Sequence, residues 1–311
     1  MNIVKTGIVT KGVGGLYETR VASADTEERI VCRAKGVLRR EEEKLAVGDR
    51  VEILLGEQAG ETVISRVFTR RNLLIRPPLS NVDFLFVCFA AEKPAPVFET
   101  VDKLIAIAEY HGISPVIVLT KADLAREKAE EYAAVYRTAG FPVFVTSSKE
   151  ATGTDGLCTF VEEHIRDEKI AAFAGASGVG KSSIMNLLFP GLSLATSEIS
   201  KKAERGRHTT RHVELFPLGN GAAAGFVADT PGFSLLDFGR FDFFSLSDLP
   251  ATFREFAPYL GKCRYADCSH VGEGVEECAV LRAATEGKIA ASRLESYRSI
   301  YRALKKKESA K

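Results

Sequence analysis

Residues 175–183 read Gly-Ala-Ser-Gly-Val-Gly-Lys-Ser-Ser, and the spacing Gly175-x4-Gly180-Lys181-Ser182 lets a turn wrap its backbone around phosphate groups. The N–H groups of Ala176, Ser177, Gly178, Val179 and Ser183 belong to that wrap, Lys181 would reach the β and γ oxygens, and Ser182 would ligate Mg2+. A merely glycine-rich turn is the alternative. The apolar run at 169–174 before the turn and the helical pattern at 182–189 after it favour the phosphate loop.

Three further segments carry chemistry that such a loop needs. Asp229-Thr230-Pro231-Gly232 follows an apolar run, which puts a carboxylate at a strand end to hold Mg2+ through water and the Gly232 N–H where a γ-phosphate can be sensed. Thr120-Lys121-Ala122-Asp123 ends another apolar run. The Asp123 carboxylate can accept from guanine N1 and N2 together while the Lys121 stem packs along the base, although Asp123 could equally cap a helix. The run 145–148, Val-Thr-Ser-Ser, is a third strand end, and there Ser147 and Ser148 place a backbone N–H for guanine O6.

Residues 205–211, Arg-Gly-Arg-His-Thr-Thr-Arg, have the polar, glycine-containing character of a loop that switches, or else of a solvated basic turn. Thr210, in preference to Thr209, would complete a Mg2+ shell. Phe233 follows Gly232 where a water-orienting Gln is common, so another group must position water, and His208 is the histidine near these motifs.

At the C-terminal end, Cys263-x4-Cys268-x-His270-x7-Cys278 gathers three thiols and an imidazole, a complete tetrahedral set for one structural Zn2+. The remaining thiols, Cys32, Cys88 and Cys158, lie in apolar patterns and read as small buried hydrophobes.

These residues need rigid elements behind them. From 80 to 236 apolar runs at 82–90, 116–119, 143–146, 171–175 and 226–229 alternate with helical patterns at 98–111, 126–139, 156–166 and 181–189. That rhythm is an α/β domain with a largely parallel sheet. Before it, five short strand patterns in residues 1–70, broken by turns at 12–15 and 47–49, give a small barrel, OB-like in preference to SH3-like. The stretch from Arg70 to Pro78 reads as a linker because paired prolines continue neither strand nor helix. The expected domains are therefore 1–70, 71–236 and a mostly helical, zinc-binding 237–311.

A chain of 311 residues accommodates these domains, each with its own core. With 42 Lys and Arg against 41 Asp and Glu, overall charge predicts no attraction to nucleic acid, so any such contact is local. In the barrel, Lys11, Tyr17, Arg33, Lys35, Arg39 and Arg40 are candidates for it. In the C-terminal helix the apolar stripe Leu294, Tyr297, Ile300, Tyr301, Leu304 is flanked by the cations Arg293, Arg298, Arg302 and Lys305. No signal-peptide pattern and no apolar run of about 18 residues is present, which predicts a cytoplasmic protein away from membranes.

The order of the motifs is distinctive, because the guanine-reading segment precedes the phosphate loop whereas ordinary GTPases place it after. A small barrel, then TKAD and SS, then GASGVGKS, GRHTT and DTPGF, then Cys3His, together resemble the circularly permuted RsgA (YjeQ/YloQ) GTPase family over essentially the whole chain. The resemblance implies an N-terminal OB-fold, a permuted GTPase domain and a zinc domain. It also implies a monomeric GTP hydrolase that uses Mg2+, binds the 30S subunit and 16S rRNA during late maturation, and is stimulated by the subunit with hydrolysis coupled to release. By the same resemblance Lys181 and Ser182 belong to the phosphate loop, Thr210 to switch I, and Asp229 and Gly232 to switch II; His208 is the catalytic histidine, acting with Lys181 and Thr210, Lys121 and Asp123 read guanine, and Cys263, Cys268, His270 and Cys278 hold zinc. Thr120 departs from the usual Asn, which removes an amide that braces the loop. Two competitors remain in view: a GTP-gated rRNA-binding module with incidental hydrolysis, and a P-loop kinase or ATPase.

Overall fold

The structure is a computed structural model that describes residues 3–22, 27–35, 44–56, 61–75, 78–189, 213–219, 221, 223–229 and 243–310. It divides into two compact units: Met1–Leu85, Cys158–Phe173 and Leu188–Phe233 form one, and Phe86–Leu157, Ala174–Leu187 and Ser234–Lys311 form the other.

In the first unit, β1 (Ile3–Val13), β2 (Leu16–Ala22), β3 (Glu27–Ala34), β4 (Arg50–Leu55) and β5 (Val63–Val67) follow the five strand patterns of the sequence. β1 is long enough to pair with β4 through its first half and with β2 through its second, with a bulge between Val9 and Lys11. β2 pairs with β3, β3 runs parallel to β5, and β5 returns to β4, so the pairing closes into a ring. Closure removes the exposed sheet edge, and Val9, Cys32, Val51, Ile53 and Ile64 fill the interior.

The expected linker is instead a hairpin of β6 (Leu73–Ile75) and β7 (Pro78–Ser80), with Leu74 and Leu79 buried. Pro78 is tolerated because it opens its strand. Beside the hairpin, fully buried Asp49 accepts from Arg70 at 2.7 and 2.8 Å, from the Ser80 hydroxyl at 2.7 Å and from the Ala46 N–H at 2.8 Å. These donors satisfy a side chain that has no access to water. β12 (Glu214–Leu218), which the sequence pattern did not reveal, joins β1 through Lys11 and Glu214, whose side chains pair at 2.7 Å. It lies antiparallel to β13 (Gly225–Asp229), which is parallel to β11 (Ile170–Ala174). Lys11 is thus engaged by an acid, while Arg39 and Arg40 lie outside the described residues.

In the second unit, β9 (Ser114–Thr120) runs parallel to β10 (Val143–Val145) and beside the end of β8 (Val82–Ala90). Helices α1 (Phe98–Tyr110) and α2 (Arg126–Thr138) fall where the periodicity put them, as does α3 (Thr154–His164), which passes from this unit into the first. α4 (Lys181–Leu188), α5 (Ala279–Thr285) and α6 (Ala291–Glu308) complete the described helices.

α6 buries Leu294, Tyr297, Ile300 and Leu304 as its stripe predicted, but Arg293 does not belong to a solvent face. Its side chain is 1% exposed and lies 2.6 Å from Asp102 of α1 and 2.6 Å from Glu255. The guanidinium also stacks 4.5 Å from the Phe253 ring centre, and the Tyr136 hydroxyl donates to Asp102 at 3.1 Å. Periodicity assigns a face to Arg293; only the acids brought from distant segments explain why that face is internal.

Candidate functional site

β11 ends at Ala174 with every residue buried, and the chain turns at Gly175 with φ +142°. A Cβ there would lie 2.0 Å from the Cys88 carbonyl oxygen, so glycine is required by close backbone approach and not merely by flexibility. Cys88 beneath it is fully buried, and burial pushes its thiol up to about 12, which makes it an inert wall, as its apolar setting predicted. Cys32 is likewise buried, and Cys158 half-buried.

Ala176, Ser177 and Gly178 form the exposed crest of the loop, Val179 tucks inward, and Lys181 opens α4 with Ser182 and Ser183 in its first turn. The Lys181 ammonium donates to the carbonyls of Gly175 and Ala176 at 2.8 and 2.9 Å, so it lies within the loop's own span. The arrangement presents successive N–H groups and one cation at a helix start, a geometry suited to polyphosphate.

The segment at 120–123 meets this loop directly. The buried Thr120 hydroxyl donates to the Val179 carbonyl and lies 3.3 Å from that of Phe89. Lys121, in the left-handed conformation at φ 55°, donates to the Gly178 carbonyl at 2.7 Å and to the Lys93 carbonyl at 2.5 Å. Two consecutive side chains therefore hold two consecutive loop carbonyls. The missing Asn amide is replaced by a hydroxyl that makes a brace of its own.

Asp123 falls in a 3-10 turn at Ala122–Leu124, and α2 starts at Arg126 behind Ala125, so the helix-cap alternative does not apply. The Ser147 hydroxyl donates to Asp123 Oδ1 at 2.7 Å, which fixes the carboxylate. Backbone bonds from Thr146 N–H to the Leu119 carbonyl (2.7 Å) and from Ala122 N–H to the Thr146 carbonyl (3.1 Å) lock the two strand ends together, and Ser148 beyond them is exposed. Asp229 ends β13; Thr210, Gly232 and His208 lie outside the described residues, as do Thr209 and Phe233.

The second cluster is the Cys/His set. Its four ligand atoms lie within 4.8 Å of one another: His270 Nδ1 is 3.6, 3.4 and 3.3 Å from the sulfurs of Cys263, Cys268 and Cys278, and Cys263 Sγ is 3.9 Å from Cys278 Sγ. Tetrahedral Zn–S and Zn–N bonds of ordinary length imply edges of about 3.8 Å between sulfurs and about 3.6 Å between sulfur and nitrogen. The residues present therefore fit one Zn2+. Burial pushes the Cys268 and Cys278 thiols up and the His270 imidazole down, so a metal here displaces thiol protons but finds the neutral imidazole it needs.

Sequence reasoning missed Glu273. Burial works against its charge, yet donors from the Ser269 hydroxyl and N–H and from the Val271 N–H hold its carboxyl at about 2. The loop wraps that carboxylate and carries His270 at φ 59°, a conformation unusual for a residue with a side chain. The local signal was a Ser-x3-Glu around the histidine. Cys278 has a second task, since its sulfur accepts from the Leu281 N–H at the start of α5.

The RsgA GTPase family model matches residues 67–239 and the RsgA N-terminal domain model residues 6–64. The small ribosomal subunit biogenesis GTPase RsgA of Agathobacter rectalis is 38% identical, covering 97% of this chain and 99% of the relative, and that of Caldanaerobacter subterraneus is 39% identical with 97% and 96% covered. The crystal structure of YjeQ from Thermotoga maritima superposes with a TM-score of 0.78 at 32% identity, covering 97% of this chain and 99% of that one. YloQ, described as a circularly permuted GTPase, superposes at 0.77 and 30%, covering 99% and 96%. An early guanine segment, a later phosphate loop braced against it and full-length similarity to these proteins lead to one conclusion: the chain belongs to the RsgA GTPase family.

Proposed function

We propose that this GTPase binds the small ribosomal subunit, contacts its 16S rRNA during late maturation, and couples subunit-stimulated GTP hydrolysis to release. The observation that carries the nucleotide half is the double brace from Thr120 and Lys121 to the Val179 and Gly178 carbonyls, which supports one site for base and phosphates. In this reading Lys121, Asp123, Ser147 and Ser148 serve the guanine, Thr120 belongs to the nucleotide site as the brace of its loop, and residues 175–183 serve the phosphates, with Asp229 and Gly232 at the γ end. Ser182 and Thr210 would hold Mg2+, which neutralises charge on the β and γ oxygens when bound. Lys181 stabilises the transferred group, and His208 orients water in place of the absent Gln. The reading includes an OB-fold at 1–70, a GTPase domain at 71–236, a zinc domain at 237–311 and a cytoplasmic monomer. No helix among the described residues is long and apolar enough to cross a membrane.

The test is GTP hydrolysis with and without purified small subunits. A large stimulation that His208→Ala abolishes while nucleotide affinity stays intact supports the proposal. No stimulation, with the subunit still bound in the GTP state, would favour a GTP-gated binding module instead.

A further inference from the structure

The hairpin of β12 and β13 begins and ends beside segments that the nucleotide reading needs. Glu214 opens β12 soon after Thr210, and Asp229 closes β13 shortly before Gly232. These two residues stand directly opposite each other, and Glu214 stands opposite Lys11 of β1 on its other side. One rung of the sheet therefore runs Lys11, Glu214, Asp229, and both segments read as switches leave the sheet from it. All three residues belong to the first compact unit.

Barrel cations hold this hairpin at both ends. Among the described residues β1 pairs with β12 at this rung alone, and the Lys11 ammonium donates to Glu214 there at 2.7 Å. Residues opposite each other across antiparallel strands share one face of the sheet, where like charges push the strands apart and opposite charges draw them together. Two acids on neighbouring strands thus call for the cation that Lys11 supplies. At the turn, Arg20 of β2 donates to the Gly221 carbonyl at 2.9 Å, and its guanidinium lies 5.2 Å from the ring centre of Phe226 in β13. The Arg20 side chain is 3% exposed, with Glu27 at 2.7 Å as its counter-ion. A buried cation committed to a turn carbonyl and a strand aromatic fixes where the hairpin lies against the barrel.

We infer that Lys11 and Arg20 are positioning residues for the GTPase reaction: from the barrel, they hold the β12–β13 hairpin in the register that sets where Asp229 and the segment after it begin. They act through the hairpin. The inference rests on the reading that Asp229 and Gly232 serve the γ end, and it names residues outside the nucleotide motifs on which that end depends. Its consequence is selective. A displaced rung should disturb recognition of the γ-phosphate and spare the guanine and β-phosphate contacts, whose residues lie on other elements.

The experiment uses the full-length, zinc-loaded protein in Mg2+, titrated with GDP and with a non-hydrolysable GTP analogue. Amide exchange over 214–218 and 225–229 is followed by mass spectrometry in the GDP state. Lys11→Met should raise exchange in both segments and lower the preference for the GTP analogue over GDP about threefold, the modest worth of a half-exposed ion pair. Lys11→Arg keeps the charge and should retain both. Arg20→Met should lower the preference about tenfold, since it strands the Gly221 carbonyl and Glu27 together. If that variant fails to fold, the two Lys11 variants decide. Unchanged exchange in Lys11→Met overturns the inference. So does an equal loss of affinity for GDP and the analogue that tracks a lower unfolding midpoint, which is what a merely structural bond would give. Asp229→Asn in the same titrations separates the inference from the reading beneath it. If Asp229→Asn lowers the preference and Lys11→Met does not, the inference alone fails; if Asp229→Asn leaves the preference unchanged, the γ-end reading fails and the inference falls with it.

Discussion

The phosphate loop and the zinc cluster are both short, both legible as spaced residues, and held in opposite ways. The loop is fixed by backbone and by its neighbours: Gly175 lies against the Cys88 carbonyl, and Thr120 and Lys121 grip Val179 and Gly178. Its own lysine satisfies two of its carbonyls. The loop is held by bonds that need no ligand. The zinc cluster instead directs three sulfurs and a nitrogen at one point, and what surrounds it is a loop wrapped on Glu273 and a seven-residue helix begun on Cys278. The helix buries Val280, Leu281 and Ala283, and a metal held at the cluster would add its binding free energy to the folding of this segment. A site of the first kind loses function when altered, and one of the second kind loses structure.

The sharpest way to break that contrast is to remove the metal. Chelation, or Cys278→Ala, should unfold the segment around 263–285 at a cost on the order of 10 kcal/mol of binding free energy, while GDP affinity at the loop persists within a few-fold. Near-UV dichroism and protease mapping of the metal-free protein would read the first, and nucleotide titration the second. Because burial raises the Cys268 and Cys278 thiols, zinc affinity should climb as pH rises through neutrality. Glu273→Gln should also weaken zinc. Its depressed carboxyl contributes stability that is complete above the ordinary value of 4.5 and is lost as pH falls toward about 2, so the variant should flatten acid unfolding in that window.

Arg293→Met tests whether the C-terminal region depends on the metal alone. It would strand Asp102 and Glu255, each within 2.6 Å of the guanidinium now, and should destabilise the protein by about 3–5 kcal/mol. Denaturant unfolding of the zinc-loaded variant measures it. A loss below about 1 kcal/mol would mean that zinc carries this region and the ion cluster is incidental.

What the sequence disclosed follows the same division. Strands and helices around the loop were legible because burial on both faces writes long apolar runs, as in 82–90 and 170–174. β12 was hidden because Pro217 and a half-buried pattern interrupt it. The hairpin at 73–80 was hidden because its prolines look like punctuation and its buried partner, Asp49, comes from another part of the chain. Arg293 was read as a surface cation for the same reason: its acids are 38 and 191 residues away in sequence. Short motifs reveal which groups could act, but long-range polar partners decide where a charged side chain points.

The smallest expected effect probes the loop's preformed state at one atom. Thr120→Val keeps the shape of the side chain and removes the hydroxyl that donates to the Val179 carbonyl, leaving a buried acceptor unpaired. The cost of such an orphan, about 1–2 kcal/mol, should weaken GTP and GDP alike by about tenfold. Lys121 and Asp123 are untouched, so the preference for GTP over ATP should be unchanged, and that separates a brace from a base contact. Thr120→Ser should recover most of the affinity because the donor is retained. Thr120→Asn should bind at least as well as Thr120→Val only if the longer amide reaches the same carbonyl. If Thr120→Val binds GDP as the unaltered chain does, the phosphate loop stands without its neighbour, and backbone approach at Gly175 is left as the feature that preforms it.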